Sequence, residues 1–271
     1  MPATNVTEIA LAFDGAAASY DSDFGENPIA IWMRERVWQT CLDVFRPGGR
    51  ILDLNAGTGI DAVFLAQNNF SVHAIDLSSK MLGGLSSKLA SDDLRSRMTY
   101  EKLSLESLSD LRGKKFDGAL SNFGGLNCLL DLSRFAQELA NILEPGAPFV
   151  ACVMGKFSLL ETFGFLRHGK FKQSFRRASR GGTIASICGK KVEVYYYGSR
   201  QLVSSFAPFF EVEKIYGLGI LVPPPWKSDW AIAHKTLFKV LARVDQVVSY
   251  LPVLRASGDH HVSLFRRRPH L

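Results

Sequence analysis

From residue 50 to about residue 155, short apolar runs alternate with longer segments in which apolar residues recur every three or four positions. The runs are RILDL (50–54), SVHAID (71–76), TYEKL (99–103), KFDGALS (115–121) and PFVACVM (148–154), and each reads as a strand. Between them, DAVFLAQ (61–67), SKMLGGLSSKLA (79–90) and LSRFAQELANIL (132–143) read as helices, the second weakened by Gly83 and Gly84. Strands alternating with helices predict βαβ units and a parallel sheet with helices on both faces. Ahead of the first run, Asn27-Pro28 has the chemistry of a helix start, and Ile31, Trp38, Cys41, Leu42 and Phe45 follow at helical spacing.

Past Gly155 the rhythm breaks. Residues 156–181 are basic and aromatic. Residues 183–198 are expected to form a hairpin turning at Gly189-Lys190, 199–209 a helix, 210–220 a strand and 260–268 a last strand. Apolar positions 230, 237, 241, 244, 248 and 251 predict one buried helical face. The expectation is a single α/β domain with a Rossmann-like, doubly wound, mostly parallel sheet. An N-terminal helical cap (1–48) precedes a core (49–155). An insertion (156–198) forms a lid over an acceptor site, and 199–271 completes the sheet.

Composition narrows the class without naming a function. The chain has 271 residues, 46% of them hydrophobic and 21% charged, as in a globular domain, and shows no repeat. Its first residues lack the basic and apolar regions of a cleavable leader, and no run approaches the roughly 20 apolar residues of a membrane span. Cys41, Cys128, Cys152 and Cys188 form no CxxC pair, so no metal site is expected and the cysteines read as reduced, in a cytoplasmic enzyme. The net charge of +6 is localised. Residues 156–191 hold nine Lys/Arg against one acid, Glu161, which leaves the remainder near −2.

The chemistry concentrates in ILDLNAGTGIDA (51–62). Gly57, Gly59 and Ala62 fit GxGxxG/A, and Asp76 follows at a distance suited to a ribose hydroxyl. That pattern alone leaves an NAD-type oxidoreductase open. Asp53 and Asp61, however, flank the turn and would repel a pyrophosphate. They suit a cationic ligand without phosphate, such as S-adenosylmethionine, although Asp61 serves equally well as a helix-start residue.

With these motifs in order, the sequence resembles the class I S-adenosylmethionine-dependent methyltransferases. ILDLNAGTG is similar to that family's first motif and VHAIDLSSKML to its second-strand motif. KFDGALSNFG and ILEPGAPFVACV resemble the segments around its fourth and fifth strands, and GDHHVSLFRR its last, antiparallel strand. The resemblance implies a seven-stranded sheet and a site assembled from the following residues. Asp53, Asn55, Ala56, Gly57, Thr58 and Gly59 form the turn. Asp76 holds the ribose, Leu77 and Met81 flank the adenine, and Ser104 or the backbone at Leu105 meets its amino group. Ser121, Asn122 and Phe123 run past the methionine moiety, and Tyr20 closes over the cofactor. Asn55 and Ala56 replace the usual Gly and Cys, and Ser104 stands where many members carry an acid.

The acceptor is less legible. Asn127 and His168 are the candidate catalytic side chains, while His73 reads as a core residue and at least one of His260 and His261 as a surface residue. The basic, phenylalanine-rich segment 156–180, with Lys170, Lys172, Arg176, Arg177 and Arg180, points to an anionic or amphiphilic small molecule and to peripheral membrane contact. Lipid or RNA acceptors remain open, and DNA is not expected.

Overall fold

The computed structural model describes residues 6–179 and 181–269; Arg180, at the end of the basic segment, and the terminal residues lie outside the described residues. Nine strands form. β1 (Arg50–Leu54), β2 (Ser71–Asp76), β3 (Met98–Lys102), β4 (Gly118–Ser121), β5 (Pro148–Met154), β8 (Phe210–Leu218) and β9 (His260–Arg267) make one sheet in the order β3-β2-β1-β4-β5-β9-β8. β6 (Thr183–Ile187) and β7 (Lys190–Val194) form a separate hairpin. β1 to β5 run parallel, and β9 is antiparallel to both β5 and β8. This is the expected Rossmann-like methyltransferase sheet.

The central strands are apolar on both sides because helices cover both faces. Ile51 and Val72 join one core with Met33 and Val37 of the helix Pro28–Val44. Leu52 and Leu54 join the other with Phe135, Leu139 and Phe206. Asn27 caps Pro28–Val44 by accepting from the Ile29 and Ala30 amides, as its position before proline predicts. The strand order reverses between β1 and β4, which opens a crevice at their C-terminal ends. No helix among the described residues is long and apolar enough to cross a membrane.

Two local expectations are corrected. The hairpin turns at Cys188-Gly189, one residue earlier than predicted: Ile187 pairs with Lys190, and both turn residues have positive φ, as a two-residue hairpin turn requires. The apolar face predicted over 230–251 is interrupted at His234, and Leu237, Val244 and Leu251 are exposed. The helix Lys235–Val248 instead turns Asp245 inward, where its carboxylate accepts from the Ile220, Leu221 and Val222 amides. Pairing three amides, two of them buried, outweighs the burial of a valine or leucine.

Candidate functional site

A cavity opens where β1, β2 and β4 end. It is roofed by the helix Val6–Ala16, which rests on the β6–β7 hairpin through Ile9, Ala12, Val192, Val194 and Tyr196. Two acids fasten this helix and the segment after it. Asp14 accepts from Ser78 Oγ (2.5 Å) and from the Lys80 amide, so Ser78 holds its carboxyl below the usual range. Asp21 accepts from Thr58 Oγ1 (2.5 Å) and pairs with Lys88 (2.6 Å). Between these anchors Tyr20 lines the cavity; a Cβ added to Gly57 would sit 3.8 Å from its ring.

Nine of the residues named from sequence line the cavity: Tyr20, Asn55, Gly57, Asp76, Leu77, Met81, Ser104, Leu105 and Phe123. Asp76 Oδ2 accepts from the Gly57 amide and Oδ1 from the Ser78 amide, both at 2.8 Å. Burial raises its pKa and these hydrogen bonds oppose the rise. Asn55 adopts a left-handed conformation (φ 53°), which asparagine tolerates. Its amide donates to the Asn122 carbonyl and accepts from Ser121 Oγ, tying the turn to the loop after β4. Gly125 must lack a side chain there, since a Cβ would fall 2.0 Å from the Asn55 carboxamide. Ser104 Oγ caps the following 3-10 turn by accepting from the Glu106 amide, and Glu106 itself lines the cavity.

Asp53, Ala56, Thr58, Gly59, Ser121 and Asn122 lie behind this lining. Asp53 is buried with Oδ2 unpartnered; burial and the neighbouring Asp61 charge push its pKa well up. Asp61 receives Arg34 Nη1 (2.6 Å), Trp38 Nε1 (2.6 Å) and Asn122 Nδ2 (3.2 Å). Of the three acids near the turn, only Asp76 faces the cavity. Arg34 and Trp38, spaced i,i+4 on one helix face, are a signal the sequence reading passed over. Gly59 (φ 79°) is sterically tight, because a Cβ would lie 2.6 Å from Leu85 Cγ. Gly59→Val is therefore expected to cost about 2–4 kcal/mol in urea unfolding, through overpacking and backbone strain, and Gly57→Val less. Equal losses would remove the distinction.

The two catalytic candidates fall elsewhere. Asn127 is fully buried, and its amide bridges Met154 N, Met154 O and Tyr195 O. His168 ends the helix Leu159–Arg167 and lines a second groove, of about 680 Å³, against Pro223, Pro224, Trp226 and Trp230. Arg177 is not a surface cation. It is buried between Glu161 (2.6 Å) and Asp259 (2.6 Å). His260 and His261 are both buried, contrary to the expectation that one is at the surface, because β9 lies inside the sheet between β5 and β8. His73 is buried as expected, bridging Thr99 and Glu101 at 2.7 Å each.

The profile of a family described as a methyltransferase domain matches residues 51–146. A demethylmenaquinone methyltransferase from Symbiobacterium thermophilum is 31% identical over 200 residues, spanning 70% of this chain and 75% of that protein. Another, from Mycolicibacterium gilvum, is 29% identical over 155 residues and 55% of this chain, which spans about 60% of that relative's length. Among solved structures, the 4+2 cyclase SpnF superposes with a TM-score of 0.64 at 17% identity, covering 99% of this chain and 98% of that one. The chain belongs to the class I S-adenosylmethionine-dependent methyltransferases. A cyclase on the same fold shows that the reaction must be argued from the site.

Proposed function

We propose that this chain binds S-adenosylmethionine and transfers its methyl group to a small-molecule acceptor. The carrying observation is that Asp76 and the positive-φ Gly57 open on one cavity at the C-terminal ends of the strands. The residues fit the cofactor. Each Asp76 oxygen accepts one backbone N–H and keeps lone pairs for a ribose diol. Leu77 and Met81 offer apolar surface to a base. Glu106 offers its amino group a carboxylate, while Ser104 is spent on capping. Gly57 leaves space under Tyr20 for the amino-acid tail. When bound, the group supplies a methyl carbon activated by a sulfonium. The chain holds the acceptor close and collinear with it, an effect worth roughly 7–11 kcal/mol at best.

A dinucleotide fits less well. Its pyrophosphate needs open amides at the N-terminus of the first helix. Here Thr58 and Gly59 are buried and the Asp21 carboxylate lies across Thr58. Calorimetry should therefore detect S-adenosylhomocysteine and not NADH. Asp76→Ala should weaken the former about ten-fold or more, as expected for a charge-assisted hydrogen bond worth about 1.5–3 kcal/mol. Unchanged affinity in a folded variant defeats the assignment.

The acceptor reading is an anionic or amphiphilic molecule. The second groove supports it, with Phe165, Trp226 and Trp230 beside Arg167, His168, Lys170 and Lys227. The exposed Phe163, Phe171 and Phe175 support contact of the lid segment with a lipid surface. A screen with labelled cofactor, pooling anionic amphiphiles against neutral compounds, tests this; labelling confined to the neutral pools overturns it. Four free cysteines support a cytoplasmic location.

A further inference from the structure

We propose that Asp259 and His260 form a general-base dyad for the methyl acceptor, with His260 Nε2 as the proton-accepting atom; this rests on the methyltransferase reading. His260 begins β9 and pairs with Met154, the last residue of β5, and with Leu218, the last residue of β8. It therefore stands at the sheet end where the cofactor cavity opens. Along β9, His260 shares its side with Val262 and Leu264, which pack in the same core as the helix Pro28–Val44. That helix carries Arg34. The His260 ring meets Phe123 edge-on at 5.5 Å, and the Arg34 guanidinium lies 4.8 Å from the Phe123 centroid. Phe123 in turn lines the cofactor cavity. One phenylalanine thus separates the imidazole from the place where a methyl group would be presented.

The imidazole is oriented from behind. Its Nδ1 lies 3.0 Å from Asp259 Oδ2. The ring N–H is not yet aligned on that oxygen, an alignment such pairs often complete only with ligand bound. Asp259 is fixed by Arg177, which donates to Oδ1 (2.6 Å) and to the Asp259 carbonyl (2.8 Å) and also grips Glu161. Burial raises the Asp259 pKa, but its neighbours His260 and Arg177 more than offset it and hold the carboxyl below the usual range. The charged and titratable groups around His260 are Asp259, Arg177 and Glu161 behind it, Arg34 with Asp61 across Phe123, and the adjacent His261. No described group takes its Nε2. Buried ion networks are a poor way to gain stability. Holding a histidine tautomer with the proton on Nδ1 and a free Nε2 is a use that such a network does serve.

In the step it serves, the acceptor's O–H or N–H bond breaks and the proton passes to His260 Nε2. The acceptor heteroatom's electron pair forms the bond to the methyl carbon. The pair of the broken carbon–sulfur bond stays on sulfur, and the imidazolium rests against Asp259 until it returns the proton to water.

Two measurements decide the proposal. Nitrogen NMR of histidine-labelled protein should find the neutral His260 ring protonated on Nδ1; a ring protonated on Nε2 overturns the dyad whether or not an acceptor is known. With an acceptor recovered by the labelled-cofactor screen, His260→Gln should lower kcat about 100-fold or more and erase the acid limb of the kcat–pH profile. S-adenosylhomocysteine affinity should stay within about two-fold, since the variant removes a proton acceptor and not ground-state binding. A kcat near wild type, or a surviving acid limb, overturns it. Failure of S-adenosylhomocysteine to bind even wild type would strike the methyltransferase reading, and the tautomer measurement separates the two failures.

Discussion

Replacing Arg177 by methionine is expected to cost about 3–5 kcal/mol of folding stability, because it removes the buried cation that Glu161 and Asp259 share. Glu161, Arg177 and Asp259 have side chains only 3%, 5% and 4% exposed. Arg177 donates four hydrogen bonds within the group, two to Glu161 and two to Asp259. Urea unfolding followed by circular dichroism measures the loss. Adding Glu161→Gln and Asp259→Asn to the same chain should recover a large part of it, since the penalty lies in the stranded charges and only secondarily in lost packing. A single variant within about 1 kcal/mol of wild type would mean that water reaches the network and screens it, as at exposed ion pairs.

Acid is expected to weaken the fold through His261. Its ring is buried, donates from Nε2 to the Tyr197 carbonyl (3.0 Å), and is pushed down to about 4, chiefly by burial. The unfolded chain titrates near the ordinary histidine value of about 6.5. Above that pH neither state binds the proton. Between about 6.5 and 4 the unfolded chain takes a proton that the folded chain refuses, so stability falls by about 1.4 kcal/mol per unit, roughly 3 kcal/mol in all. His73, also lowered by burial, acts in the same direction. Asp53 and Asp245, raised by burial, act in the opposite one, because the folded state then binds the proton more readily. The informative comparison is therefore wild type against His261→Gln, which keeps a donor for Tyr197. The variant should lose less stability between neutral and acidic buffer. Identical acid losses in the two proteins would show that His261 is not the titrating group.

What the sequence made legible was whatever depends on neighbours in the chain. β1, β2 and β5 fall where the apolar runs place them, and the Asn27 cap and the glycine turn are local chemistry. Asp76 was legible because the distance from a glycine turn to the end of the next strand is fixed by one βαβ unit. Asp61 stayed open between a ligand contact and a helix-start residue because its partners, Arg34 and Trp38, come from a helix outside that unit. The orientation of the helix Lys235–Val248 depends on three amides about 25 residues upstream that need an acceptor, which hydropathy cannot register. At least one of His260 and His261 was expected at the surface, because they begin the last strand. Only the pairing of β9 between β5 and β8 carries both into the interior.

The cysteines give the roof of the cavity an optical handle. Cys41 and Cys152 are buried and Cys128 half-buried, and burial lifts the Cys128 and Cys152 thiols to about 12, so they resist alkylation at neutral pH. Cys188 is the exposed one, at the tip of the β6–β7 hairpin, packed over Gly15 of the roofing helix. A single maleimide dye would thus report on the seam between the N-terminal helix and the hairpin. Its emission would follow the parting and reclosing of that seam as a guest enters the cavity beneath, with no substrate turned over and no residue of the site altered.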